Sequence, residues 1–302
     1  MKLMLRILCS VLLLTGTMQA FAQKSLSGEA LAKMKLHEDT LVKIADSLYA
    51  DMMDEDRIEA CYHFIRQLKT ALKEDNSFAY DFPELQKKIN IMYPKDKSFR
   101  LMNWEVKFAN TVRRYYGAIQ ANSKEMVLFP LVDYSPNIEK GIEDSVLTAG
   151  KWMGCQYYNM LEQEINGRPM YFLFGINRTG LLSNKKLVDV LYFAKGKPVF
   201  GAPLFVPNER EPYKTVNRFV LEYKKDATPT LNFDPEMNMI VYDKMASEIG
   251  DKNRKYSYVP VGDYEGMRFE GGRWVHQNQV VQIMELQNGQ APTEKPLNFN
   301  IK

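Results

Sequence analysis

The spacing of apolar residues changes once along this chain, and that change limits the fold more than any other feature. Before Phe82-Pro83 the spacing is helical; after it, the spacing alternates. Leu31, Met34, Leu41, Ala45, Leu48 and Met52 recur at intervals of three, four or seven, the stripe of an amphipathic helix running from Ser27 to about Met53. Ile58, Cys61, Tyr62, Ile65, Leu68 and Leu72 repeat the pattern from about Glu55 to Lys73. The acidic run Asp51 to Asp56 joins the two, with Asp54 or Asp56 available to cap the second helix. A helical hairpin region over 23–90 is expected.

From Phe99 onward, Phe99, Leu101 and Asn103 alternate with Arg100, Met102 and Trp104, the period of a strand. Further strands are expected over Thr111–Gln120, Met126–Val132, Leu187–Ala194, Val199–Phe205, Asn217–Tyr223, Thr230–Asp234, Met239–Asp243, Met267–Glu270 and Arg273–Val280. The clearest hairpin joins Gln156–Ile165 to Arg168–Ile176 through Asn166-Gly167, because Asn-Gly accepts the positive backbone angles of a primed turn. Connections this short pair strands antiparallel, since parallel neighbours need long crossovers. The expected class is α+β, predominantly antiparallel β: an N-terminal helical hairpin followed by a multi-stranded meander or sandwich of ten to twelve strands over 91–287. A sub-boundary falls at 135–150, where Pro136, Gly141 and Gly150 interrupt the pattern, and 288–302 reads as a surface tail.

The run Gly196-Lys197-Pro198-Val199-Phe200-Gly201-Ala202-Pro203-Leu204-Phe205 is apolar yet carries two prolines. Proline has no N–H to give a central ladder, so the run reads as an edge strand with a bulge at Gly201.

Residues 1–22 read as a signal peptide. Lys2 and Arg6 precede the apolar run Ile7 to Leu14, and Ala20 and Ala22 flank Phe21, placing cleavage after Ala22. Arg6-Ile7-Leu8 before Cys9 is not a lipobox, and no later stretch approaches the ~20 apolar residues of a membrane span. A periplasmic or extracellular location follows. Loss of Lys2 and Arg6 reduces 40 basic residues to 38 against 37 acidic ones, so the mature chain is near neutral and offers no footprint for nucleic acid.

Cys61 and Cys155 remain after cleavage, in a compartment where disulfides persist. They are either a bridge, worth about 4 to 5 kcal/mol on the chain-entropy account, or two buried apolar thiols. His37, His63 and His276 are the histidines, without H-E-x-x-H or C-x-x-C spacing, so no metal or cofactor is expected. A nucleophilic relay can be written from Cys155, His276 and Asp243, but the residues after Cys155 lead into a strand, not the helix start that would lower a thiol pKa. Asp189 and Asp243 lie among strand residues, where a buried carboxylate must be paired or hydrogen-bonded. Tyr256, Tyr258, Tyr264 and Trp274 are candidate stacking surfaces for a sugar ring or peptide, against the alternative that they pack across strands.

The segments Lys185–Phe193, Gly196–Phe205, Asn238–Asp243 and Gly262-Asp263-Tyr264-Glu265-Gly266 to Gly272-Arg273-Trp274 together resemble a group of exported, uncharacterised proteins from Gram-negative bacteria. The likeness covers about 150–280. It implies export and one C-terminal β unit, and transfers no catalytic residue. The expected function is a non-enzymatic binding or interaction protein of the periplasm or envelope, with a glycan, peptide or protein partner. The alternatives are an envelope or nutrient-polymer hydrolase and a structural envelope component with an exposed apolar patch.

Overall fold

A computed structural model describes residues 26–280 except 51–52, 109–111, 139–140, 209 and 279. The expected signal segment, Cys9, Met52 and the tail over 288–302 lie outside the described residues.

Helix α1 (Gly28–Tyr49) starts where Ser27 accepts a hydrogen bond from Ala30 N at 3.2 Å. Its buried stripe is Met34, Glu38, Leu41, Ala45 and Leu48, whereas Leu31 is exposed. Glu38 takes an apolar position because its carboxylate is fully used: it accepts from Tyr80 Oη at 2.5 Å, Glu84 N at 2.8 Å and Leu85 N at 2.9 Å. Helix α2 (Asp54–Leu72) is rotated from the expected stripe. Arg57, Cys61, Phe64, Leu68 and Ala71 point inward, and Ile58 and Tyr62 are exposed. Two contacts set the rotation: Arg57 donates to Lys107 O, and Phe64 meets Trp104 edge-on at 5.0 Å. Neither Asp54 nor Asp56 is the cap; the N-cap is Met53, and the acidic residues fill the first turn, where the helix dipole favours them.

The strands form three sheets. In the first, β1 (Asn90–Met92), β2 (Phe99–Phe108), β3 (Val112–Ala121) and β4 (Leu128–Val132) lie in chain order. In the second, β5 (Leu147–Thr148), β9 (Lys197–Phe200), β8 (Ser183–Ala194), β7 (Arg168–Asn177) and β6 (Gln156–Ile165) run side by side, and β11 (Phe219–Lys224) pairs with the first half of β8. In the third the order is β10 (Phe205–Val206), β15 (Arg273–Gln277), β14 (Tyr258–Glu270), β13 (Met239–Ser247) and β12 (Leu231–Asp234). The fifteen strands exceed the expected number because β1, β5 and β10 are two or three residues long, too short to show a period. All pairings between named strands are antiparallel except that of β10 with β15.

Three apolar cores join the helices and sheets into successive layers. Met102, Trp104 and Val106 of β2 meet the helices with Leu41, Phe64 and Leu68. Phe99 and Leu101, on the other face of β2, meet Tyr171 and Leu173 of β7 and Leu187 and Leu191 of β8. The opposite residues of those strands, Phe172, Phe174, Val188 and Val190, meet Ile240, Met267 and Trp274 of the third sheet. The second sheet is therefore apolar on both faces.

The turns at Asn166-Gly167, Lys195-Gly196 and Gly271-Gly272 all have positive φ at both positions, as primed two-residue hairpins require. The proline-bearing run departs from its expected place at an edge. β9 lies between β8 and β5, and the chain then leaves the sheet. Gly201 turns at φ +100° and donates its N–H to Val190 O at 2.7 Å; Trp274 N donates to Leu204 O at 2.7 Å, and Phe205–Val206 joins the third sheet. The glycine and Pro203 mark a corner where one chain segment changes sheets.

Candidate functional site

The structure separates the residues of the proposed cysteine relay. Cys155 is fully buried in the core between the first and second sheets, and Gly175 is needed beside it, since a Cβ there would lie 2.9 Å from Cys155 Sγ. Burial, reinforced by the charge of Asp189, pushes its thiol well above the ordinary range. His276 belongs to the third sheet, across the second sheet from Cys155. Asp243 shares a cleft with His276, but its Oδ2 accepts from Thr230 N at 2.5 Å and Thr230 Oγ1 at 2.7 Å, and Cys155 stays apart from both. No relay forms from these three.

The disulfide is likewise not formed. Cys61 and Cys155 are both free and buried, one in the helix core and the other in the next core, with the first sheet between them. Burial raises the Cys61 thiol to about 11, even though hydrogen bonds with Trp104 and Tyr116 work in the opposite direction.

His37 ties the helices together, with Nε2 3.3 Å from Glu74 and Nδ1 3.1 Å from Gln67 Nε2. His63 pairs with Glu59 along α2 at 3.5 Å. Trp274 is not a stacking surface: it is wholly buried, meeting Phe172 and Phe233 edge-on at 5.7 and 6.2 Å. Tyr256 and Tyr264 are exposed. Tyr258 lines a substantial cleft, and its ring carries Lys255 Nζ at 4.2 Å.

That cleft, of about 460 Å³, opens beside β11 between the second and third sheets. Its apolar lining comes from Phe219 and Leu221, which alternation turns from β11 toward the third sheet, and from Tyr242 of β13 in that sheet. Its polar groups come from three places. β14 and β15 supply Glu265 and His276, whose Oε2 and Nε2 lie 3.5 Å apart. β8 and β11 supply Lys185 and Glu222, paired at 3.3 Å, with Ser183 Oγ also donating to Glu222. The segment after β4 supplies Glu143. Among the described residues no hydrogen bond or ion pair engages the Glu143 carboxyl; its position is set through its backbone, which accepts from Asn217 N at 2.7 Å and Arg218 N at 3.1 Å. Glu143 is solvent-exposed, yet the cleft wall strips enough water, and Asp144 and Glu222 repel enough, to raise its pKa above the ordinary carboxylate range. Solvent screening keeps that effect modest. Glu143, Glu222, Asp243 and Glu265 against Lys185 and Lys255 leave the lining two charges negative with His276 neutral.

A buried ion pair holds this wall in place. Asp189 and Arg218 are both fully buried, with Arg218 Nη2 2.8 Å from Asp189 Oδ1. Tyr157 Oη donates to Asp189 Oδ2 at 3.1 Å and accepts from Trp152 Nε1 at 2.9 Å. Burial disfavours the guanidinium charge, but Asp189 more than offsets it and raises the Arg218 pKa. Arg218 Nη1 also donates to Ile142 O at 2.5 Å, anchoring the residue before Glu143. Asp189 is the carboxylate whose strand context demanded a partner; Arg218 carried no sequence signal beyond a lone charge before an apolar run. Glu143, Lys255 and Glu265 lie in polar or glycine-rich stretches that gave no sign of converging.

No protein-family model, curated protein or solved structure matches the chain.

Proposed function

We propose that this chain is an exported, non-enzymatic binding protein of the cell envelope or exterior, and that the cleft beside β11 is its ligand seat. The observation that carries this reading is the mixed lining of one cleft: an apolar wall of Phe219, Leu221 and Tyr242 faces the donors Lys255 and His276 and the acceptors Glu143 and Glu265. An apolar wall with a few converging polar groups is how small-ligand sites combine contact area with orientation. The negative balance favours a neutral or cationic ligand, either a glycan segment or a peptide bearing an amine, over an anionic polymer. The basic, apolar and small-residue pattern over 1–22 supports the location.

The test is a binding screen of purified protein against neutral, amino-substituted and anionic oligosaccharides and against short peptides of each charge. Neutral or cationic ligands should bind and compete with one another, and Glu265→Gln with Tyr258→Ala should weaken them at least tenfold. Binding that survives both substitutions would place the ligand elsewhere.

A second reading rests on Glu143. A carboxyl biased toward its protonated form beside a His276–Glu265 pair is a combination suited to acid–base hydrolysis of a glycan. Release of reducing ends from a bound oligosaccharide, abolished by Glu143→Gln while binding persists, would select hydrolysis over simple binding.

A further inference from the structure

A second cleft, of about 450 Å³, has the opposite charge. It lies where β7 ends, β8 begins and β11 ends, and four cations line it: Arg113, Arg178, Lys186 and Lys225. The nearby acids do not neutralise them. Glu105 is shared, lying 2.6 Å from Arg113 Nη1 and 3.0 Å from Arg178 Nη1, so one carboxylate serves two guanidiniums. Asp226 is largely exposed and leans toward Lys224 at 3.7 Å. Four positive charges therefore face three negative ones, Glu105, Asp226 and Asp243, the last acting on Lys186 from the third sheet. Both lysines are half-buried. Burial lowers the Lys186 pKa against the pull of Asp243, with Arg178 a smaller repulsion, and burial followed by Arg113 and Arg178 lowers that of Lys225.

The lysines are held, not loose. Lys225 Nζ donates to Gly180 O at 2.6 Å and Arg178 O at 3.2 Å, and Lys186 Nζ sits 5.6 Å above the Tyr158 ring. The loop that Lys225 fastens carries Leu181 and Leu182, which are 76% and 63% exposed and are the apolar side chains next along the chain from those carbonyls. The Leu182 carbonyl in turn accepts from Lys225 N at 3.1 Å. Two outward leucines on a loop clamped to a cationic cleft are costly in water, and both features are satisfied by a surface whose anionic groups overlie an apolar layer.

We propose that this end of the molecule docks on an anionic phospholipid surface, with a headgroup phosphate in the Arg113–Arg178–Lys186–Lys225 cleft and Leu181 and Leu182 entering the acyl boundary. Guanidinium and ammonium groups together match a phosphate, with arginine giving paired N–H donors and lysine compact charge. The proposal is independent of the ligand seat beside β11, which is lined by other residues and carries the opposite charge.

The test is co-sedimentation of the full chain with vesicles of phosphatidylcholine alone and with one third phosphatidylglycerol, beside calorimetry with inorganic phosphate. Binding should require phosphatidylglycerol and fall as salt rises. Lys186→Gln with Lys225→Gln should lower it roughly thirtyfold, about fivefold per removed charge. Leu181→Ser with Leu182→Ser should lower it at least tenfold, leaving any inorganic phosphate affinity unchanged. The leucines are exposed, so this second variant keeps the fold, which a circular dichroism melt verifies. Three outcomes overturn the proposal: equal sedimentation with both vesicles, wild-type binding by the leucine variant, or binding of inorganic phosphate without any vesicle association.

Discussion

Replacing Arg218 with methionine removes the cation paired with Asp189 while keeping much of the side-chain volume. Both members of the pair have no exposed surface, and 2.8 Å separates Arg218 Nη2 from Asp189 Oδ1. The carboxylate would then keep just the Tyr157 hydroxyl and the Val190 N–H, at 3.1 and 2.9 Å. Breaking a pair this deep costs about 3–5 kcal/mol, because a buried charge is left uncompensated. Against a typical total stability of about 5–15 kcal/mol, that is roughly a fifth or more. The same substitution removes the hydrogen bond to Ile142 O and so loosens the segment bearing Glu143. Urea unfolding followed by circular dichroism measures the change, as a lower midpoint at unchanged slope. The control is the double variant Asp189→Leu with Arg218→Met, which removes both charges and should be more stable than Arg218→Met alone. A single variant within about 1 kcal/mol of the wild type, or a double variant as unstable as the two single losses added, would refute the buried-charge account.

Gly201→Ala places a Cβ 2.6 Å from Ser145 O at φ +100°, so it should cost about 1–3 kcal/mol, read from the same urea midpoints. Tyr157→Phe takes a donor from Asp189 and an acceptor from Trp152, and a loss of about 1–3 kcal/mol is expected. Because the folded-state pKa of Glu143 is raised, its stabilising contribution is complete below the ordinary carboxylate range and is lost as pH rises through the raised value; Glu143→Gln should therefore be slightly more stable than wild type at neutral pH, with the difference vanishing in acid. Cys61 and Cys155 should resist alkylation in the native protein and react only after unfolding, and mass mapping without reductant should find both thiols free; prompt labelling of Cys155 contradicts its burial.

The helical pair and the tight turn were legible because they depend on local rules. The three-and-four spacing of α1 and the Asn166-Gly167 turn hold in the structure with little adjustment. The face of α2 differs from the expected stripe because Arg57 occupies an inward position, where its guanidinium donates to the Lys107 carbonyl fifty residues away and to the Ala50 carbonyl at 3.4 Å.

Alternation assigns each strand residue to one of two faces but does not say which faces meet, and β2, β7 and β8 are buried on both. Sequence alone therefore determined an α+β chain rich in antiparallel strands, and it pointed to Asp189 and Asp243 alike as carboxylates that need partners if buried. Tertiary structure decided that three sheets stack behind the helices, that Trp274 is core, and that Cys155 and His276 lie on opposite sides of one sheet. It also drew Glu143, Glu265 and His276 to one cleft and four cations to another. The physical reason is that a cleft is made where layers fail to close over one another, and closure depends on contacts between residues far apart in the chain.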